Sequence, residues 1–95
     1  MPKAYWIAHV TVTDPAQYPK YVEAARPAFA KYNAKVLARG GRYTQFEGEE
    51  RARNVLIEFD SYDDACACYR SAEYQAARAL RKDAGIASVV IVEAA

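Results

Sequence analysis

The sequence predicts an α+β fold, a four-stranded antiparallel sheet with its helices packed on one face. Three observations carry that reading. Residues Ala4 to Val12 alternate between an apolar and a mixed set of side chains at a period of two, as a strand with one buried face does. The segment Arg53 to Asp60 is a second such strand, rich in Val, Leu, Ile and Phe, and it passes directly into a capped helix at Ser61. The elements then follow one another as strand, helix, strand, strand, helix, strand.

In the first strand Ala4, Trp6, Ala8, Val10 and Val12 form the core parity, and Tyr5, Ile7, His9 and Thr11 the mixed one. Asp14 before Pro15 predicts a helix start, a side-chain acceptor followed by a proline whose missing N–H does no harm there. Tyr18, Val22, Ala25, Phe29 and Tyr32 recur at steps of four and three and predict its buried stripe. Pro27 removes the hydrogen bond to the Glu23 carbonyl, which predicts a kink over residues 23–27, while Pro19 lies nearer the first turn and is milder. Lys35 to Arg39 reads as a strand, Gly40 and Gly41 interrupt it, and Arg42 to Glu47 resumes with β-favouring Tyr, Thr and Phe. The glycine pair either closes a tight hairpin or marks a bulge in one long edge strand.

Ser61 and Asp64 make a capping box with Asp in place of Glu, opening a helix with Tyr62, Ala65, Cys66 and Tyr69 inward. Ser71 is a second cap, so the helix breaks and restarts with Ala76, Ala77, Leu80 and Ala84 inward and Gly85 as a left-handed terminator. Ala87 to Glu93 is the last strand. This order is the ferredoxin-like βαββαβ arrangement, and residues 1–95 are read as one such domain.

Composition narrows the function classes. A hydrophobic content of 53% with 26% charged residues belongs to an ordered globular chain. Lys and Arg number 13 against 12 Asp and Glu, and the basic residues are interspersed with acids, so the electrostatic footprint of nucleic-acid binding is missing. No apolar run has the roughly 18 residues that spanning a membrane requires, and no signal-peptide pattern is present, so we expect a cytoplasmic protein. Cys66 and Cys68 point about 200° apart around a helix and are expected as free thiols. With one histidine and no second cysteine pair, no metal site is expected.

Several strings carry a family likeness. They are Tyr5-Trp6-Ile7-Ala8, Thr13-Asp14-Pro15 with Tyr21, Arg39-Gly40-Gly41, and Glu47-Gly48 with Arg53. Downstream come Ile57-Glu58-Phe59 with Ser61 and Ala65, then Tyr69-Arg70-Ser71, Glu73-Tyr74 and Arg81. Together they resemble the DUF1330 family, small bacterial proteins of the dimeric α/β-barrel superfamily, over nearly all of the chain. The departures are local: Asp60, Ala52 and Ala72 stand where proline is expected, Asn33 and Ala34 near expected glycines, and Glu50 where the family has tryptophan. The last puts in doubt any pocket wall the family builds there. The resemblance implies a homodimer whose two sheets face each other to form a barrel, with the helices outside. It implies no single reaction, because the superfamily includes cofactor-free monooxygenases, haem-degrading enzymes, muconolactone-type isomerases and members of no known activity. The superfamily's haem enzymes carry their ligand on a helix, whereas His9 falls on a strand, so no cofactor is expected.

Strand parity puts Tyr5, Ile7, His9 and Thr11 beside Asn54, Leu56 and Glu58, facing the partner sheet. His9 and Glu58 are therefore the candidate acid and base, and Tyr5 a candidate ligand contact on the same face. The plainer alternative is a hydrogen-bonded interface histidine and a Glu paired to arginine. Arg39, Arg53 and Arg81 are candidate ligand-binding residues, since guanidinium forks hold carboxylates, with pairing to Glu47, Glu58 or Asp83 as the alternative. Two functions follow. One is a small-molecule-binding homodimer, as a cofactor-independent isomerase or monooxygenase acting on a hydrophobic carboxylate or aromatic compound in the barrel or under the helices. The other is a non-catalytic assembly module in which the same residues fix the register of the dimer.

Overall fold

A computed structural model describes residues 2–95. The elements are β1 (Ala4–Val12), α1 (Tyr18–Lys31), β2 (Lys35–Arg39), β3 (Arg53–Phe59), α2 (Tyr62–Arg70), α3 (Ala72–Arg81) and β4 (Gly85–Glu93). They form an antiparallel sheet in the order β2-β3-β1-β4. The ferredoxin-like prediction holds, with β1 and β3 as central neighbours. Trp6 stands opposite Ile57 on β3 and Ile91 on β4, and this parity meets the helices. The other parity sets Leu56, Ile7 and Val90 in a row across three strands on the uncovered face.

The core lies between the sheet and the helices and is built on aromatic rings. Trp6, 2% exposed, meets Tyr74 at 4.9 Å, Phe29 at 5.3 Å and Tyr69 at 5.5 Å between ring centroids, with Phe59 stacked at 6.1 Å. Such edge and offset pairings add to the burial of apolar area. Ser71 breaks the second helical segment as predicted: its hydroxyl donates to the Cys68 carbonyl at 2.7 Å and accepts the Tyr74 N–H at 3.1 Å. One residue thus closes α2 and opens α3. Lys31 Nζ lies 2.9 Å from Glu73 Oε2, tying the end of α1 to the start of α3. That bond holds the Glu73 carboxyl below its ordinary value, so its contribution is present at neutral pH and is lost as pH falls through the lowered value.

The structure differs from the sequence reading in several places. Asp14 accepts the Ala16 and Gln17 N–H groups and stabilises a turn, and α1 starts one turn later at Tyr18. A start at Pro15 would make Pro19 an interior residue with a clash one turn back; the later start leaves it in the first turn. From there α1 runs unbroken to Lys31, with Pro27 inside it on the solvent side. Arg42 to Glu47 forms no strand, and the glycine pair is neither a tight hairpin nor a bulge. Gly40, at φ 66°, ends β2 with its N–H on the Asn54 carbonyl at 3.0 Å, and residues 40–52 make a long connection. Tyr43 bonds Glu50, Gln45 bonds the Glu47 carbonyl and Arg51 pairs with Glu49, so these groups are satisfied within the loop instead of along a strand. The bulge falls earlier, between Val36 and Ala38.

The helix faces are also rotated. On α2, Ala65 and Cys68 are buried while Tyr62 is exposed and Cys66 half-buried. On α3 the buried stripe is Tyr74, Ala77 and Arg81, while Ala76 and Leu80 face out. Hydropathy alone favours Leu80 over Arg81, but the ring of Tyr21 covers the Arg81 guanidinium at 5.0 Å and makes the buried position tenable. Gly85 does not terminate a helix. It opens β4 opposite Val12, where a Cβ would stand 3.0 Å from the Thr11 carbonyl oxygen.

Both cysteines are free. Burial pushes the Cys68 thiol up to about 12, with the charge of Glu73 adding to the shift, and its Sγ lies 3.7 Å from the Ala28 carbonyl. Thiolate is the reactive form, so a disulfide reagent should titrate Cys66 alone in the native protein and both thiols in denaturant. Equal native reactivity of the two would contradict this packing.

Candidate functional site

A pocket opens between α1 and the helix-facing side of the sheet, with a cavity volume of about 70 Å³. Trp6, Val10, Val22 and Val55 give it apolar walls, and four arginines line it with charge: Arg26, which pairs with Glu23 at 3.7 Å, and Arg39, Arg53 and Arg81. The strands explain two of the last three. Arg53 precedes Val55 by two residues and so shares its parity, and Arg39 stands opposite Val55 across the β2–β3 pairing. The third comes from the inward stripe of α3, where Arg81 is 8% exposed.

Aromatic rings position the guanidinium groups. Arg53 Cζ lies 5.3 Å from the centre of the Tyr18 ring, and Arg81 Cζ 5.0 Å from that of Tyr21. Gly40 leaves room for Arg53, since a Cβ there would stand 3.1 Å from Nη1. Arg53 Nε is buried without a hydrogen-bond acceptor. Among the described residues, no ion pair involves Arg39, Arg53 or Arg81. The pairing considered for them with Glu47, Glu58 or Asp83 does not form, and Glu58 instead lies 3.6 Å from Lys3. Behind the pocket, the Tyr21 and Tyr74 hydroxyls share a hydrogen bond of 2.9 Å. Burial pushes both phenols up, against the lowering pull of Arg81, so they stay protonated at neutral pH.

The remaining candidates lie on the opposite face of the sheet. His9 is exposed and stands opposite Asn54, with its Nδ1 2.6 Å from Asn54 Oδ1. Asn54 Nδ2 donates to the Arg51 carbonyl at 3.2 Å, which leaves Oδ1 as acceptor and makes His9 Nδ1 the donor. Glu58 stands opposite Tyr5, four residues further along β3, so the strand rise keeps it about 13 Å from His9 along the sheet. Tyr5, His9 and Glu58 share a face without forming a cluster. His9 adjoins a shallow hollow with Gln45, Glu49, Arg51 and Ser88, where Arg51 also donates to Thr11 Oγ1 at 2.9 Å.

Sequence reasoning finds three of the four arginines, missing Arg26, and does not find the ring shelves. The predicted stripe of α1 includes Tyr18 and omits Tyr21, although Tyr21 lies one helical turn from Tyr18 and from Ala25, which both face inward. Gly40 was read for its turn, whereas its lack of a side chain also accommodates Arg53.

Several solved structures share this fold. A protein of unknown function from Rhodopseudomonas palustris is 17% identical, with a TM-score of 0.77 over 99% of this chain and 83% of its own. A dimeric protein of unknown function and ferredoxin-like fold from Bacteroides fragilis is 18% identical, with a TM-score of 0.64 over 97% of this chain and 96% of its own. SnoaB, a cofactor-independent oxygenase from Streptomyces nogalater, is 12% identical, with a TM-score of 0.68 over 100% of this chain and 95% of its own. At these identities the likeness is one of fold. Among curated proteins no sequence matches the chain. The profile of a domain of unknown function, DUF1330, matches residues 3–95, and the chain belongs to that family.

Proposed function

We propose that this protein is a small-molecule-binding homodimer whose ligand enters the pocket beneath α1. The observation that carries the reading is an apolar pocket lined by three arginines that have no carboxylate partner among the described residues. Pockets that bind small molecules are mostly apolar, with few polar groups to orient the ligand. The uncovered sheet face supports the dimer: Ile86, Val90 and Val92 are exposed there beside Ile7 and Leu56, an apolar surface of the kind that marks association. The dimeric ferredoxin-like protein of Bacteroides fragilis points the same way.

An enzymatic version of this reading is a cofactor-independent oxygenase or isomerase acting on a hydrophobic carboxylate or aromatic compound; the likeness to SnoaB, a cofactor-independent oxygenase, supports the first of these. In that version His9 is the candidate acid–base group, and its distance from Glu58 weighs against a joint role for the two. The pocket beneath α1 favours binding over proton transfer, because the Tyr21 hydroxyl is protonated and engaged by Tyr74. Native mass spectrometry of the protein from its own cells should give a dimer carrying a small organic mass. Val36→Trp, at the exposed edge of the pocket, should release that mass and leave the dimer intact. An empty monomer from the unaltered protein would sink both halves of the proposal.

A further inference from the structure

We infer that the ligand of this pocket is a small organic carboxylate, its head held between Arg53 and Arg81 near Arg39 and its apolar body against Val22, Val55 and Trp6. The inference rests on the small-molecule reading and adds the charge and shape of what is bound.

A guanidinium removed from water without a counter-charge is unfavourable, and such groups in folded proteins are paired. Arg81 is 8% exposed, its ring contact is with Tyr21, and among the described residues no carboxylate neutralises it. Arg53 Nε is fully buried without an acceptor. Both side chains line the same cavity, so one anion placed there neutralises both guanidinium charges. The ring shelves of Tyr18 and Tyr21 hold the guanidinium groups before the ligand arrives, which limits the entropy lost on binding.

The walls select the rest of the molecule. Val22 and Val55 offer no polar partner and Trp6 only its indole N–H, too little for a sugar or a peptide, whereas an aromatic ring or a short hydrocarbon buries area against them. A planar two-oxygen head matches the guanidinium fork. The cavity of about 70 Å³ fits a compact ligand better than a nucleotide. In the proposed dimer the partner sheet packs on the uncovered face, opposite the pocket, and so supplies no counter-charge to it.

Trp6 is the chain's single tryptophan and lines the pocket, so its fluorescence reports occupancy directly. The dimer is titrated with benzoate and cyclohexanecarboxylate, with benzamide and cyclohexanecarboxamide as uncharged counterparts, and with phenylphosphonate. The carboxylates should bind at least tenfold more tightly than the amides. Arg53→Gln and Arg81→Gln should each weaken carboxylate binding by roughly tenfold to a hundredfold, with amide binding unchanged. Arg39→Gln alters an exposed strand residue and so keeps the fold; it should give a smaller loss of the same selectivity. Amides binding as tightly as carboxylates would overturn the anion inference and leave the small-molecule reading standing. A tenfold preference for the phosphonate would overturn the carboxylate assignment. Absence of any response at millimolar ligand, in a protein whose native mass spectrum is also empty, would overturn both.

Discussion

Trp6→Ala is expected to lose about 3 to 5 kcal/mol of stability, a large part of what a domain of this size has to lose. Trp6 is the ring on which Phe29, Phe59, Tyr69 and Tyr74 converge, and it joins the central strand to all three helices. Truncation removes the indole and leaves a void flanked by four rings that cannot all close on it, since each is anchored on a different element. Denaturant unfolding followed by far-UV circular dichroism measures the loss, because the variant has no tryptophan signal. Trp6→Phe keeps a ring and should lose roughly half as much. If Trp6→Ala shifted the midpoint no more than Leu80→Ala, a substitution on the solvent side of α3, the core described here would be misplaced.

Ile7→Lys should convert the proposed dimer to monomer without unfolding it. Ile7 lies between Leu56 and Val90 at the middle of the uncovered face, and its side chain contributes nothing to the core beneath the helices. In a two-fold dimer the substitution enters the interface twice, placing two ammonium groups in an apolar contact with no acid in that row to receive them. Association should weaken on the order of a hundredfold or more. Sedimentation equilibrium gives the constant, and an unchanged circular dichroism spectrum shows that the protomer is intact. Val90→Lys, from a position 53% exposed in the protomer, should act in the same direction. A dimer that persists in both variants assembles through some other surface.

The strands were legible because period-two alternation over β1 and β3 records directly which side chains are inside, and the pairing of β1 with β3 followed from topology. Ser61 and Ser71 were legible as caps because their hydroxyls act on the backbone three residues ahead. The helix faces were less so. An arginine replaces a leucine on the buried stripe of α3 because a tyrosine from α1 covers it, and no local pattern within α3 contains that tyrosine. Residues 42–47 have strand-forming side chains, but no neighbouring strand is there to pair with them, and the loop satisfies its own polar groups. The arginine cluster was readable as a set of candidates and its enclosure was not, since parity gives a direction and only tertiary packing makes a pocket.

The position of β1 between β3 and β4 also governs how the chain comes to be folded. Neither neighbour is close to β1 in sequence: Val10 pairs with Arg53 and Val12 with Gly85. Closing such distant pairs costs loop entropy before any contact compensates it, which makes this topology slower to fold than a helical bundle of its size. During synthesis the hydrogen-bonding edge of β1 that β4 finally occupies stays open until almost the whole chain described here has left the ribosome. Over that interval Ile7 and its neighbours form an unprotected strand edge, and the nascent protein is more prone to aggregate than the finished one.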